Sequence, residues 1–338
     1  VSLPLIAALG AGRMGRGIAH AFAYGGHEVV LIDIKPRAAD AARALEREAL
    51  AEVDQSLAML ASLGAFDDSL RPRMMERVRF AGRDKAPAAL AACDILFEGV
   101  PETLEAKREA FDYASGHVRP DAIVASTTST MLSTELAGFV RRPERFLNAH
   151  WLNPAYLVPL VELSPHPGTA PEALTRMKAV LEGIGKKPVV CAAAPGYIVP
   201  RFQSLVMNEA ARMIEQGIAT PEDIDAAVRY GFGFRYATMG VVEFIDFGGL
   251  DILYHASRYL ARATGDERYA APAIVDERMA EGRLGLKTGG RGLADSSHVE
   301  PQAWRRQVLT RQLDLLRHLG LAPRPDAALT TKGRHDQR

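Results

Sequence analysis

The chain has 338 residues, 48% of them hydrophobic, enough for one to three packed domains, with two the central expectation. Lys+Arg and Asp+Glu both number 41, and a formal net charge of zero excludes broad electrostatic attraction to nucleic acid or to an anionic membrane surface. Two cysteines, Cys93 and Cys191, exclude a disulfide framework, and no apolar run is long enough to span a bilayer. With no basic-plus-apolar leader, the expectation is a soluble cytoplasmic protein that engages a small molecule, with no metal, nucleic acid or membrane as partner.

In chain order, "LIAAL", "EVVLID", "VRFAG", "DILFEGV", "AIVAST" and "RFLNAHW" are short apolar runs without strict alternation. That is the pattern of parallel strands covered on both faces. A helical stretch starts after Pro36 and runs to about Gly64, longer than one crossover requires. Strands alternating with helices predict a doubly wound α/β domain of Rossmann type. The pattern changes near "CAAAPGYIVP". Beyond it, "YIVPRFQSLVMNEAARMIEQG" places Ile198, Phe202, Leu205, Val206, Met213 and Ile214 at helical spacing. Thr220-Pro221-Glu222-Asp223 then reads as a capped start for a helix ending near Gly231. The expected organisation is a Rossmann-type domain over 1–193 and an all-helical domain for substrate binding and dimerisation over 194–338. The tail "TTKGRHDQR" reads as disordered.

Gly10-x-Gly12-x-x-Gly15 follows a predicted strand and opens a predicted helix, which is the context that gives this otherwise weak motif meaning. Gly10 permits the tight turn, Gly12 lets backbone amides approach a pyrophosphate, and Gly15 lets the helix pack on the strand. Met14 lies in the same loop. Asp33 ends the second strand about 18 residues after Gly15, close to the ~20 expected of a ribose-binding acid. A 2′-phosphate beside that carboxylate would meet repulsion of order a few kcal/mol before screening, so the cofactor reads as NAD. Lys35 and Arg37 could soften the repulsion, although at a helix start both are ordinarily solvated.

Alcohol oxidation by a nicotinamide cofactor needs a base for the hydroxyl proton, and histidine suits neutral pH. His150 ends a strand on the side where α/β sheets bind ligands. Asn153-Pro154 turns the chain, and "LVPLVEL" can run back alongside to bring Glu162 to the imidazole. A carboxylate there would fix the tautomer and leave the other ring nitrogen free as base. Spacing alone does not decide whether the two side chains meet.

The stretches "GAGRMGRGIA", "DILFEGVPETLEAK", "ASTTST", "HWLNP", "PLVEL", "PGYIVPR", "TPEDIDAAVRYGFGF" and "GRLGLKTG" resemble the 3-hydroxyacyl-CoA dehydrogenase superfamily over nearly the whole chain. The resemblance implies a His150–Glu162 dyad, Ser129 on the substrate oxygen, and Asn153 as the asparagine after the histidine. It places Glu102 and Lys107 near the nicotinamide ribose, and it implies a homodimer. Two positions depart from the pattern. Pro200 stands where an asparagine usually helps hold substrate and histidine, and proline offers neither a side-chain donor nor an N–H. Thr127 replaces another common asparagine.

CoA-using members carry basic residues on the helical insertion, whereas "LEREALAEVDQSLAMLASLGAF" is acidic and apolar, with Arg71 and Arg73 only beyond it. "NPAYLVPLVE" and the "RYA" of "GFGFRYATMG" are similar to members acting on free hydroxy acids, such as gulonate and carnitine dehydrogenases. Arg235 is then a candidate clamp for a carboxylate, or equally a surface cap on a helix end. Trp151 and Tyr156 are candidates for a pocket wall, or for core. Tyr-x-x-x-Lys is missing, as is a lysine on the first helix of the second domain, so two other dehydrogenase classes do not fit. The leading expectation is an NAD-dependent dehydrogenase of the secondary alcohol of a 3-hydroxy acid or its CoA thioester; the alternatives are a dehydrogenase of a small free hydroxy acid without CoA and a non-catalytic, crystallin-like NAD binder.

Overall fold

The computed structural model describes residues 3–322. The tail that reads as disordered lies outside them. Eight strands form one sheet: β1 (Ile6–Leu9), β2 (Val29–Ile32), β3 (Val78–Ala81), β4 (Ile95–Glu98), β5 (Ile123–Ser126), β6 (Phe146–Trp151), β7 (Leu160–Pro165) and β8 (Lys187–Val190). Their order is β3-β2-β1-β4-β5-β6-β7-β8. The first six run parallel, β7 is antiparallel to β6, and β8 is parallel to β7. The order reverses between β1 and β4, so their carboxyl ends open a crevice there, the place where doubly wound sheets take ligands.

β1, β2, β4, β5 and β6 are buried along their whole length, which is why they read as unbroken apolar runs. One face packs α1 (Arg13–Tyr24) and α2 (Ala39–Ser62) through Ile18, Phe22, Val53 and Leu57. The other packs Leu90, Phe111 and Leu136. Helix α2 is the long insertion expected after Pro36. Arg16 ties it to α1, donating to Glu48 (3.0 Å) and Glu52 on α2 and to its own Ala11 carbonyl (2.8 Å).

By contacts the chain divides into Val1–Met207 and Asn208–Arg338. The division falls inside the helix Val199–Glu215. Among the described residues the second unit is helical, apart from isolated bridges at Gly285–Arg291 and Arg291–Asp295. Thr220 caps its helix as the sequence indicates, its hydroxyl accepting from the Asp223 N–H at 3.1 Å. The helix does not stop at Gly231. It passes through a π-helical turn, Val228–Phe232, and continues to Tyr236. Gly233 permits that wider turn, since a Cβ there would lie 2.9 Å from the Val228 carbonyl oxygen.

Candidate active site

The glycine loop follows β1. Gly10 has φ +107°, a conformation glycine adopts readily, and a Cβ would lie 2.7 Å from the Gly99 carbonyl oxygen. At Gly15 a Cβ would stand 2.0 Å from the Gly10 carbonyl oxygen, so only hydrogen lets α1 approach β1. Gly12 has nothing within 4 Å of its would-be Cβ, and no side chain caps the N-terminus of α1. Open backbone amides at a helix start suit a pyrophosphate. The cleft they border measures ≈ 450 Å³, with Asp33, Arg37, Val100 and Ala106 also on its wall. Met14 is packed against the core beside Gly99.

Asp33 is largely buried at the end of β2. Arg37 is not simply solvated: its Nε donates to Asp33 Oδ2 at 2.5 Å, while Oδ1 lies 3.4 Å from the guanidinium NH2. Oδ1 therefore keeps capacity for a ribose hydroxyl.

A buried polar network occupies the ends of β4 and β5. Lys107, fully buried, reaches both oxygens of Glu98 at 3.1 Å and Glu102 at 3.2 Å. Ser126 donates to Glu98 at 2.6 Å, and the Val100 N–H does so at 2.8 Å. Glu102 in turn accepts from the Ser129 N–H (3.0 Å), the Thr130 N–H (3.2 Å), the Thr130 hydroxyl (3.0 Å) and the Thr128 hydroxyl. Burial alone would raise the Glu102 carboxyl. The Thr128 hydrogen bond and the Lys107 charge override that and hold it below the usual carboxylate range. Glu102 thus holds the loop that presents the exposed Ser129.

His150 and Glu162 face each other across β6 and β7, where the register pairs them directly. Nδ1 lies 2.8 Å from Glu162 Oε2, and Glu162 is fully buried. A carboxylate only accepts, so Nδ1 is the donor of this pair and Nε2 is not used by it. Glu162 Oε1 accepts from the N–H groups of Ile198 (2.9 Å) and Val199 (2.8 Å) at the start of the helix Val199–Glu215. Pro200 is the second residue of that helix, where a missing N–H costs nothing. Asn153 is exposed in the turn after β6, preceding Pro154 through a cis bond.

Trp151 and Tyr156, candidates for a pocket wall or for core, both belong to the core side. Trp151 is adjacent to His150 on a strand, so it points to the opposite face, and it packs against Phe22 and Phe97 in the core at 2% exposure. Tyr156 also belongs to that side, stacked on His20 at 4.2 Å. Arg235 belongs to the second unit, where it lies over the Phe244 ring at 5.6 Å and makes no ion pair among the described residues.

Several residues of this region escape a reading of the sequence: Glu98, Ser126, Thr128, Asn148 and Tyr197. The available signal is a polar residue within an otherwise apolar strand, as in "DILFEGV" and "RFLNAHW". Buried polar groups require partners, and such residues therefore mark a network.

The model of the 3-hydroxyacyl-CoA dehydrogenase NAD-binding domain matches residues 5–194, and that of the 3-hydroxyacyl-CoA dehydrogenase C-terminal domain matches residues 196–295. The chain belongs to the 3-hydroxyacyl-CoA dehydrogenase family. It is an NAD-dependent oxidoreductase acting on CH–OH groups. It is 32% identical over 285 residues to 5-formyl-3-hydroxy-2-methylpyridine 4-carboxylate 5-dehydrogenase of Mesorhizobium japonicum, covering 84% of this chain and 88% of that one. It is also 32% identical over 296 residues to 3-hydroxybutyryl-CoA dehydrogenase of Bradyrhizobium diazoefficiens, covering 88% and 96%. The solved 3-hydroxyacyl-CoA dehydrogenase of Archaeoglobus fulgidus superimposes with TM-score 0.73 at 31% identity, covering 94% of this chain and 99% of that one.

Proposed function

We propose that this dehydrogenase oxidises the secondary alcohol of a small free hydroxy acid, with His150 as general base and Glu162 as its orienting partner. The observation that carries the chemistry is the 2.8 Å contact from Glu162 to Nδ1, which leaves Nε2 for the substrate hydroxyl. Ser129, displayed by the Glu102-held loop, hydrogen-bonds the substrate oxygen, and Asn153 flanks it. NAD, when bound, supplies the hydride acceptor. Gly10, Gly12, Met14 and Gly15 form its phosphate cradle, Asp33 takes the adenosine ribose, and Glu102 and Lys107 order the ribose region at the other end. As the proton moves to Nε2, Glu162 stabilises the imidazolium that forms.

The free-acid assignment rests on charge. Helix α2 carries five carboxylates and two arginines, a poor surface for CoA phosphates. Arg71, the next cation, is committed to Asp54 at 2.7 Å and to Asp68 at 2.7 Å. The Mesorhizobium relative, named for a free pyridine carboxylate, fits the same reading. Arg235 is the proposed carboxylate clamp. A cytoplasmic location and a homodimer go with this proposal, the dimer supported by exposed apolar side chains of the second unit such as Ile252 and Tyr259.

The test is NAD reduction with free 3-hydroxy acids against their CoA thioesters at matched concentrations. Turnover of the free acids is expected. Preference for the thioesters would return the assignment to an acyl-CoA substrate. NAD binding without turnover of either class would favour a non-catalytic binder.

A further inference from the structure

From the contacts of Tyr197 we infer that it is a positioning residue, coupling the imidazole of His150 to the loop that carries Ser129; this rests on the roles proposed for His150 and Ser129. Its ring stacks on His150 with centroids 4.9 Å apart and planes 12° from parallel. Its hydroxyl donates to the Thr128 carbonyl at 2.9 Å, one residue before Ser129. The same hydroxyl accepts from Asn148 Nδ2 at 2.9 Å, and that amide also donates to the Met131 carbonyl at 2.9 Å, beyond Ser129. One side chain therefore touches the base and, directly and through Asn148, both flanks of the serine loop.

The backbone shows how firmly the position is set. Tyr197 has φ +44°, a left-handed conformation that costs a non-glycine residue about 1 kcal/mol or more. The residue is only 6% exposed, and burial raises its phenol above the ordinary range, so the hydroxyl stays protonated and able to donate. Ile198 and Val199, the next two residues, donate their N–H groups to Glu162. The segment 197–199 thus holds both members of the dyad: the ring covers one face of the imidazole and the amides fix the carboxylate.

Tyr197→Phe keeps the ring and removes the hydroxyl. It is expected to lower kcat about tenfold, the scale of a slight misplacement of reacting groups, with NAD affinity unchanged. The decisive readout is a double-mutant cycle with Ser129→Ala. If the hydroxyl acts through the loop, the added loss on Tyr197→Phe disappears once the serine is gone. Equal losses in both backgrounds, or wild-type kcat in Tyr197→Phe, overturn the proposal. Tyr197→Leu, which also removes the stack, is expected to lose more than Tyr197→Phe, and an equal loss would overturn the role of the ring. His150→Ala, assayed alongside, separates the two levels of failure. Loss there with an unaffected Tyr197→Phe rejects only the positioning role, whereas full turnover by His150→Ala rejects the site reading and the proposal with it.

Discussion

Glu162 is surrounded by N–H donors: one imidazole and two backbone amides. Glu162→Gln preserves shape but presents an amide NH2 to at least one of them, a donor facing a donor. Turnover is expected to fall by ~10²–10⁴, with NAD titration nearly unchanged. Lys107 gives a stability counterpart. Lys107→Met leaves Glu98 buried without its cation, and denaturant unfolding should show a loss of about 3–5 kcal/mol. Asp33→Ala should weaken NAD binding, and unchanged affinity would remove the ribose role. Because Arg37 offsets the Asp33 charge, Arg37→Ala should raise the NAD-over-NADP ratio of kcat/KM. The histidine and the glutamate are legible in the sequence because each ends or re-enters an apolar run beside a turn signal. Asn148 and Tyr197 are not, since the tyrosine hydroxyl meets Thr128 across 69 positions of sequence, a contact only the folded chain creates.

At the scale of elements, the strands are readable because burial on both faces leaves continuous apolar runs, and α2 because Pro36 and Gly64 bracket it. The end of the helix beginning at Pro221 is not, since glycine at 231 suggests a stop while the π-helical turn uses glycine at 233 to continue. The change of pattern near residue 194 and the contact division at Met207 differ for a physical reason. The first turn of the helix Val199–Glu215 is bonded to Glu162, so it clusters with the sheet although its periodicity is that of the helical second unit. Gly15→Ala would force α1 off the β1 turn, given the 2.0 Å approach to the Gly10 carbonyl. Loss of NAD binding is the expected result, measurable by titration. Thr220→Ala should cost about 1 kcal/mol through the lost cap.

For the molecule as a whole, zero net charge gives no broad field, and among the described residues no helix is long and apolar enough to cross a membrane. Acid sensitivity is instead expected from a local source. His20 is buried between Ser56 of α2, Tyr156 after β6 and Lys186 before β8, and burial, aided by the Lys186 charge, lowers it to about 4 from the ordinary 6.5. Between those values the unfolded chain binds the proton and the folded chain does not, so stability falls as pH drops through that window. The loss should reach roughly 3 kcal/mol at its acid end, and His20→Gln should flatten the dependence of Tm on pH there.

The most direct measurement is single-turnover NAD reduction by His150→Ala, paired with NAD titration of the same protein. A base at His150 predicts a rate lowered at least ~10²-fold with cofactor affinity preserved. A wild-type rate in that variant would contradict the dyad's role as the proton acceptor.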